Sequence, residues 1–376
     1  MEATSQLAWI VVASGFVLAF VFGFAAQKTD FCTMGAVADI VNMGDWTRMR
    51  MWLLAIAVAI AGANALDLAG LVDLSRSAYP APGWPWLAHI AGGLMFGVGM
   101  TLASGCGSRS LVRIGGGNLK SVVAILFLAL GAEMTIRGVL SPLRTQVLSA
   151  FPIRFDQGQD LSWLLASTLG TGKRVVQPWL AALVALPLFA FVLKDREFRS
   201  DRTRLFAAAV IGLVIVGGWY VTGHVGFIAE DPKTLQEAYV GTKSARPESF
   251  TFIGPAANAL ELLQFWTDKS ARLNFGVAVI AGTLAGAFVY AVSKRRFHWE
   301  SFASAADLRN HMIGGALMGF GGVCAMGCTI GQGITGVSTL AIGSFVVFFS
   351  IVAGATATMK VQYRLMLKET ATAQPV

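Results

Sequence analysis

Eighteen residues of this chain are written twice: residues 89–106 read HIAGGLMFGVGMTLASGC and residues 311–328 read HMIGGALMGFGGVCAMGC. Laid over each other without a gap, at an offset of 222, they agree at His89/His311, Gly92/Gly314, Gly93/Gly315, Gly97/Gly319, Gly99/Gly321, Ala103/Ala325, Gly105/Gly327 and Cys106/Cys328. Glycine and cysteine dominate what the copies share. Each copy is an apolar, glycine-striped segment that runs into a Gly-Cys, then into a polar, glycine-rich stretch, then into another apolar segment. Whatever this chain folds into must seat two copies of one unit. In a membrane protein, interrupted segments of this kind meet at a pore or a binding site.

The surroundings of the repeat are those of a membrane protein. Of 376 residues 55% are hydrophobic and 13% charged, against about 25% charged in a soluble domain. Nine apolar stretches are candidate spans: Leu7–Ala26, Met51–Leu66, Trp86–Ser104, Leu119–Ile136, Trp179–Leu193, Leu205–Val221, Phe275–Val292, Met312–Met326 and Ser338–Thr358. Met312–Met326 is short, covering about 22 Å against a hydrocarbon core of about 30 Å. A helix that stops inside the bilayer leaves backbone groups that only protein or a wet cavity can satisfy. The fold class expected is therefore an all-α polytopic membrane protein, with about nine transmembrane helices, four short re-entrant helices and an inverted internal repeat.

The net charge of +8 does not point to nucleic acid, because of where the charge sits. Basic residues gather in short loops beside spans: KDREFRSDRTR after the fifth, SKRRFHWE after the seventh, and Lys360, Arg364 and Lys368 after the ninth. Cytoplasmic loops carry such an excess. With the N-terminus outside, 18 of the 29 Lys and Arg residues fall on the side of the C-terminus, which is then cytoplasmic. The leader MEATSQ lacks the basic start of a cleavable signal peptide. The lipid bilayer is thus a partner and the bacterial inner membrane the expected location. The expected organisation is a first repeat over 1–140, an external loop and linker span over 141–204, a second repeat over 205–360 and a cytoplasmic tail over 361–376. One leftover span between two four-span halves inverts them.

Each half carries two interruptions: DFCTMGAVADIVNMG (30–44) and CGSRSLVRIGGG (106–117) in the first, FTFIGPAANALELL (250–263) and CTIGQGITG (328–336) in the second. Phe31 and Phe252 match at an offset of 221. The glycine stripe, Gly92, Gly93, Gly97 and their copies, reads equally as a close-packing face and as a pore lining. GQGITG is too glycine-rich for a good helix and is expected to expose backbone amides.

Four cysteines, Cys32, Cys106, Cys324 and Cys328, lie at or near these breaks. None is in the long loops 141–177 and 223–250, where disulfides of an oxidising compartment belong. A lone buried cysteine is ordinarily a small hydrophobe, and Cys324, which faces Leu102 in the other copy, fits that description. Cys106 and Cys328 recur at one place in both repeats. A metal site would want His or carboxylate beside thiolate, and the interruptions hold no His. Neither a metal nor any other cofactor is implied. A membrane thiol-redox or persulfide-forming enzyme using Cys324/Cys328 is the alternative, although their spacing is Cys-X-X-X-Cys rather than Cys-X-X-Cys. The remaining reading is a permeation path whose thiols hold a soft, sulfur-bearing solute loosely enough to release it.

Charge favours an anion as that solute. No acidic residue lies in 106–117 or 328–336, and Arg109 and Arg113 lie in the first. Helix N-termini near Gly105, Cys106, Gly107, Gly327 and Cys328 would present partial positive charge. Arg109 and Arg113 also read as residues that snorkel to the interface, Asp39 and Asp45 as cytoplasm-facing, and Glu133 with Arg137 as a local ion pair.

Three pieces, DFCTMGA at 30–36, GVGMTLASGC at 97–106 and MGCTIGQGITG at 326–336, resemble the YeeE/YedE family of sulfur-compound transporters, and the likeness covers essentially the whole chain. It implies nine transmembrane helices plus short re-entrant helices in an hourglass-like, pseudo-symmetric arrangement. It also implies uptake of thiosulfate or a related sulfur or selenium compound past three required cysteines, which by motif are Cys32, Cys106 and Cys328. In that scheme transient S–H···S contacts pass the anion from thiol to thiol. Gly105, Gly107, Gly327, Gly331, Gln332 and Gly333, beside the repeated cysteines, are expected to line the path. A cytoplasmic sulfur-carrier protein is a further partner to expect.

Overall fold

A computed structural model of the chain describes residues 2–231, 235–268 and 272–372. It is an all-α membrane architecture. The helices are α1 (Glu2–Thr29), α2 (Thr33–Met43), α3 (Thr47–Leu68), α4 (Trp86–Leu102), α5 (Gly107–Gly115), α6 (Leu119–Ile136), α7 (Leu161–Leu169), α8 (Lys173–Lys194), α9 (Arg196–Ser200), α10 (Arg202–Tyr220), α11 (Ile253–Gln264), α12 (Phe275–Ser293), α13 (Ala305–Cys324) and α14 (Ile342–Thr372). Among the described residues eight segments are long and apolar enough to cross a membrane. The expected span Met312–Met326 lies in α13, outside those eight, because its first turns carry Asp307, Arg309 and His311. Its 20 residues nevertheless reach about 30 Å, so it is not short. Two further boundaries differ from expectation. Helix α8 begins at Lys173, ahead of the expected Trp179, and α14 runs on to Thr372, so the described part of the expected tail is helical. The last residues, 373–376, lie outside the described residues.

The four interruptions become the short elements α2, α5, α11 and a buried π-helical turn, Gly331–Gly336. That turn corrects the expectation for GQGITG. The segment is helical, with the wider π turn absorbing its glycines, and all six of its residues are buried.

The packing comes in matched pairs. Helix α1 lies on α12 as α10 lies on α3, and α6 lies on α13 as α14 lies on α4. Helices α4 and α13 cross at the centre, antiparallel, along the glycine stripe. A methyl added to Gly92 would stand 2.6 Å from the carbonyl oxygen of Gly321, and one on Gly314 would stand 2.6 Å from that of Gly99. Backbone rests on backbone here, so the stripe is a packing seam. Gly93 and Gly315 sit equally close to the neighbouring helices, at Ser350 and Ala124.

Two polar straps close opposite ends of the bundle. At the start of α13, Asn118 bridges to Glu300, the Leu119 amide donates to the Glu300 carbonyl, and Lys120 pairs with Glu300 at 3.3 Å and Asp307 at 3.1 Å. At the start of α4, Asp160 bridges to Ala341, the Leu161 amide donates to Leu340, and the Gly343 amide donates to the Gln159 side chain. The loop 141–177 is thus a built element that folds back onto the second repeat.

Candidate functional site

Three of the four cysteines do the same local job, standing just ahead of a short buried helix. Cys32 is extended, with φ −155°, and its Sγ accepts the Gly35 amide at 3.3 Å. Cys328 Sγ accepts the Gly331 amide, also at 3.3 Å and also three residues on. This is the geometry of a serine N-cap with sulfur in place of oxygen. Cys106 holds the N-cap position of α5 without a capping bond from its side chain, and its Sγ faces Ser108 Oγ at 3.2 Å. All three are buried. Cys106 is close enough to interact electrostatically with both Cys32 and Cys328.

The other predicted path residues gather around these thiols. Gly107 faces Leu128, midway along α6, together with Phe252 and Ile253 at the head of α11. Gly105 leaves room for the stem of Arg109, and Gly327 for that of Gln332. Gly331 lies against Thr251, and Gly333 against Phe348 and Trp52. Gln332 donates its Nε2 to the Ala325 carbonyl at 2.7 Å, while its Oε1 has no partner. The conformational demand expected of these glycines falls elsewhere. The left-handed backbone sits one residue earlier, at Ser104 and Met326, both with φ of 56°, and at Asp30, with φ of 52°. What Gly331 and Gly333 supply is space. Nor are the amides of the turn exposed, since Gly331 spends its own on Cys328.

Cys324 is separate. Helix α13 ends at Cys324, and the left-handed Met326 turns the chain before Cys328. The two cysteines therefore do not share a continuous helical face. Cys324 packs with Ala88 and Phe320 in a small apolar cluster beside the glycine seam.

Charge enters from one end. Arg109 Nη2 donates to Asp30 at 2.8 Å, and its side chain is 17% exposed, so it is not an interfacial snorkel. Arg48 pairs with Asp39 at 3.1 Å, and both Arg109 and Arg48 act electrostatically on the Cys32 thiol. Asp39 is therefore paired and buried, while Asp45 is exposed and caps α3 through Thr47. Arg113 donates to the Ser104 carbonyl at 3.1 Å. The local pair expected of Glu133 and Arg137 is replaced. Arg137 bonds Glu261 at 2.6 Å, and Lys243 shares that carboxylate.

At the other end stands a polar cluster that the sequence reading passed over. Lys173 lies between Asp67 and Asp160, Gln177 donates to Asn64 and Asp67, and Asn64 donates to the Ser338 carbonyl just past the π-helical turn. Asn64 and Asp67 inside an otherwise apolar helix were the available signal. Gln159 bonds the carbonyl of Tyr79, whose ring lies near the Cys328 thiol. Close by, Glu248 and Thr251 line a cavity of about 230 Å³, with Thr251 backing onto Gly331. Burial pushes the Glu248 carboxyl up to about 7, against hydrogen bonds from Ser244 and Lys243 that pull it down.

Comparison with known proteins adds a family and two relatives. A family model described as sulphur transport matches residues 28–357. A thiosulfate transporter TsuA of Escherichia coli (strain K12) is 28% identical over 329 residues, which cover 86% of this chain and 87% of that protein. A thiosulfate transporter TsuA of Spirochaeta thermophila is 29% identical over 353 residues, 90% of this chain and 96% of that one.

Proposed function

This chain belongs to the sulphur transport family, a multi-pass membrane transporter rather than an enzyme, and from that premise we propose that it is a permease importing thiosulfate or a closely related sulfur anion. The observation that supports the reading is three buried cysteines, each just ahead of a short helical element, with Cys106 in electrostatic range of both Cys32 and Cys328. The thiols pass the anion by transient S–H···S contacts, weak enough for release at each step. Gly105, Gly107, Gly327, Gly331, Gln332 and Gly333 form the walls. The halves, residues 1–140 and 205–360, are an inverted repeat of nine crossings in all, a reading supported by the matched helix pairs and the antiparallel seam.

The location is a bacterial inner membrane, with the N-terminus outside and the basic loops 194–204 and 294–310 inside with the C-terminus. A divalent anion entering against 100 mV, interior negative, climbs about 4.6 kcal/mol. A sulfur-carrier protein on the inner side would keep the free product low enough for that climb.

The decisive experiment is uptake of labelled thiosulfate by the purified chain in liposomes, with sulfate, sulfite and selenite as competitors. Thiosulfate uptake that unlabelled thiosulfate blocks and sulfate does not is the expected result. No uptake of any sulfur anion overturns the proposal.

A further inference from the structure

A thiosulfate-like anion has two ends, a soft terminal sulfur and hard, charged oxygens. Thiols suit the first and are weak donors to the second. Yet beside each path thiol the structure leaves one buried donor without a partner: Thr33 Oγ1 after Cys32, Arg109 Nη1 three residues after Cys106, and Thr329 Oγ1 after Cys328. Thr33 and Thr329 are both 0% exposed.

Idle hydroxyls are not the habit of this fold. Among the described residues, five of the eight buried threonines spend theirs on a backbone carbonyl: Thr101 on Gly97, Thr135 on Gly131, Thr222 on Gly218, Thr335 on Phe250 and Thr339 on Gly336. Most of these reach one turn back along a helix. Thr33 and Thr329 open their short helices directly after a cysteine and have no such turn behind them. The third idle threonine is Thr283, in the middle of α12. A buried polar group without a partner asks for a ligand or a water. Arg109 is built for a ligand. Asp30 holds its Nη2 at 2.8 Å, its buried Nη1 has no partner, and the guanidinium lies within electrostatic range of Cys32.

Resting on the function proposed above, we propose that Thr33 Oγ1, Arg109 Nη1 and Thr329 Oγ1 hold the oxygens of a tetrahedral sulfur oxyanion while its sulfur rests on the thiols. Thr33 and Arg109 serve the station at Cys32, and Thr329 serves the one at Cys328. The paired soft and hard contacts select an anion that carries both ends. Sulfate lacks the soft end and sulfide lacks the oxygens. Arg109 gives the inner station the stronger hold, and Asp30 tempers it so that the anion can leave.

The test uses the full chain in liposomes and in detergent. Thr33→Val and Thr329→Val keep the shape and remove the hydroxyl, whereas Thr33→Ser and Thr329→Ser keep the donor. Each Val variant should raise the KM for thiosulfate about fivefold or more, and each Ser variant should restore it, at unchanged abundance in the membrane. Arg109→Gln should raise it about tenfold or more, since a charged donor is lost. Native KM in both Val variants, or Ser variants as poor as Val, overturns the proposal, the latter because packing would then explain the loss. Binding is read apart from transport by the rise in unfolding temperature with thiosulfate, sulfite or sulfate. A native shift without uptake sinks the permease reading alone. No shift with any of the three anions overturns the oxyanion set.

Discussion

Gly92 against Gly321 and Gly99 against Gly314 are one contact seen from the two halves: a methyl on any of the four would stand 2.6 Å from the facing carbonyl oxygen and 2.7 or 2.8 Å from a backbone nitrogen. The cysteines of the proposed path show no such equality. Cys106 and Cys328 answer each other, but Cys32 faces no second thiol. By the match of Phe31 to Phe252, its place in the second half is held by Ile253, which is buried against Gly107 and Gly322. The seam is symmetric because close approach of two backbones tolerates only glycine, whichever half supplies it. The proposed path is free to differ between the halves, because a solute passing through it would meet its stations in sequence. One half supplies two thiols and both paired arginines near Cys32, and the other half supplies one thiol and an aliphatic side chain.

The largest effect should come from breaking the path. Cys32→Ala, Cys106→Ala and Cys328→Ala should each cut thiosulfate uptake by about tenfold or more, the effect of as little as about 1.4 kcal/mol at one step. Membrane abundance should stay normal. Ile253→Cys, which restores the missing symmetry, should leave uptake standing, and so should Cys324→Ala. Uptake assays on this set decide whether the path is asymmetric. Loss in Cys324→Ala with full uptake in Cys106→Ala would move the path onto the seam.

The seam should respond in stability and not in transport chemistry. Gly92→Ala and Gly314→Ala, equivalent positions of the two repeats, press a methyl on the same kind of backbone contact and should each cost about 1–3 kcal/mol. Thermal unfolding in detergent should show the two losses to be equal. Gly331→Ala should cost less, because the atoms it meets belong to the Thr251 side chain, the nearest at 2.5 Å. Unequal losses at Gly92 and Gly314 would break the equivalence of the halves.

A smaller effect should mark one mouth of the path. Burial raises the Glu248 carboxyl from an ordinary 4.5 to about 7. Raised in the folded state, it favours folding in its protonated form. That contribution is full below about 4.5 and is lost as the pH climbs through about 7. Above that range the carboxylate also repels an incoming anion. Uptake at a fixed thiosulfate concentration should therefore fall as the pH on that side rises from about 6 to 8, and Glu248→Gln should flatten the profile. An unchanged profile in the Gln variant would remove Glu248 from the mouth.

Much of this architecture could be read from local pattern. Long apolar runs with few charges can satisfy their backbone only as helices in lipid, so the fold class followed from composition and spacing. Breaks at Gly-Cys followed too, because glycine-rich polar stretches interrupt a helix wherever they occur. The equivalence of Cys106 and Cys328 was visible as plain identity. Tertiary structure decided everything that depends on which distant segment arrives. It paired Arg137 with Glu261 rather than Glu133, laid the glycine stripe on backbone, wound GQGITG into a buried π turn, and folded the loop 141–177 onto residues 340–343. It also placed the left-handed turns on Ser104 and Met326, beside the glycines that sequence would choose. Periodicity reports which face of a segment avoids water or lipid polarity, and it carries no record of the partner that covers that face. The idle donors at Thr33, Arg109 and Thr329 became visible only once every neighbouring hydrogen bond had been assigned, because a missing partner is a property of the whole packed interior.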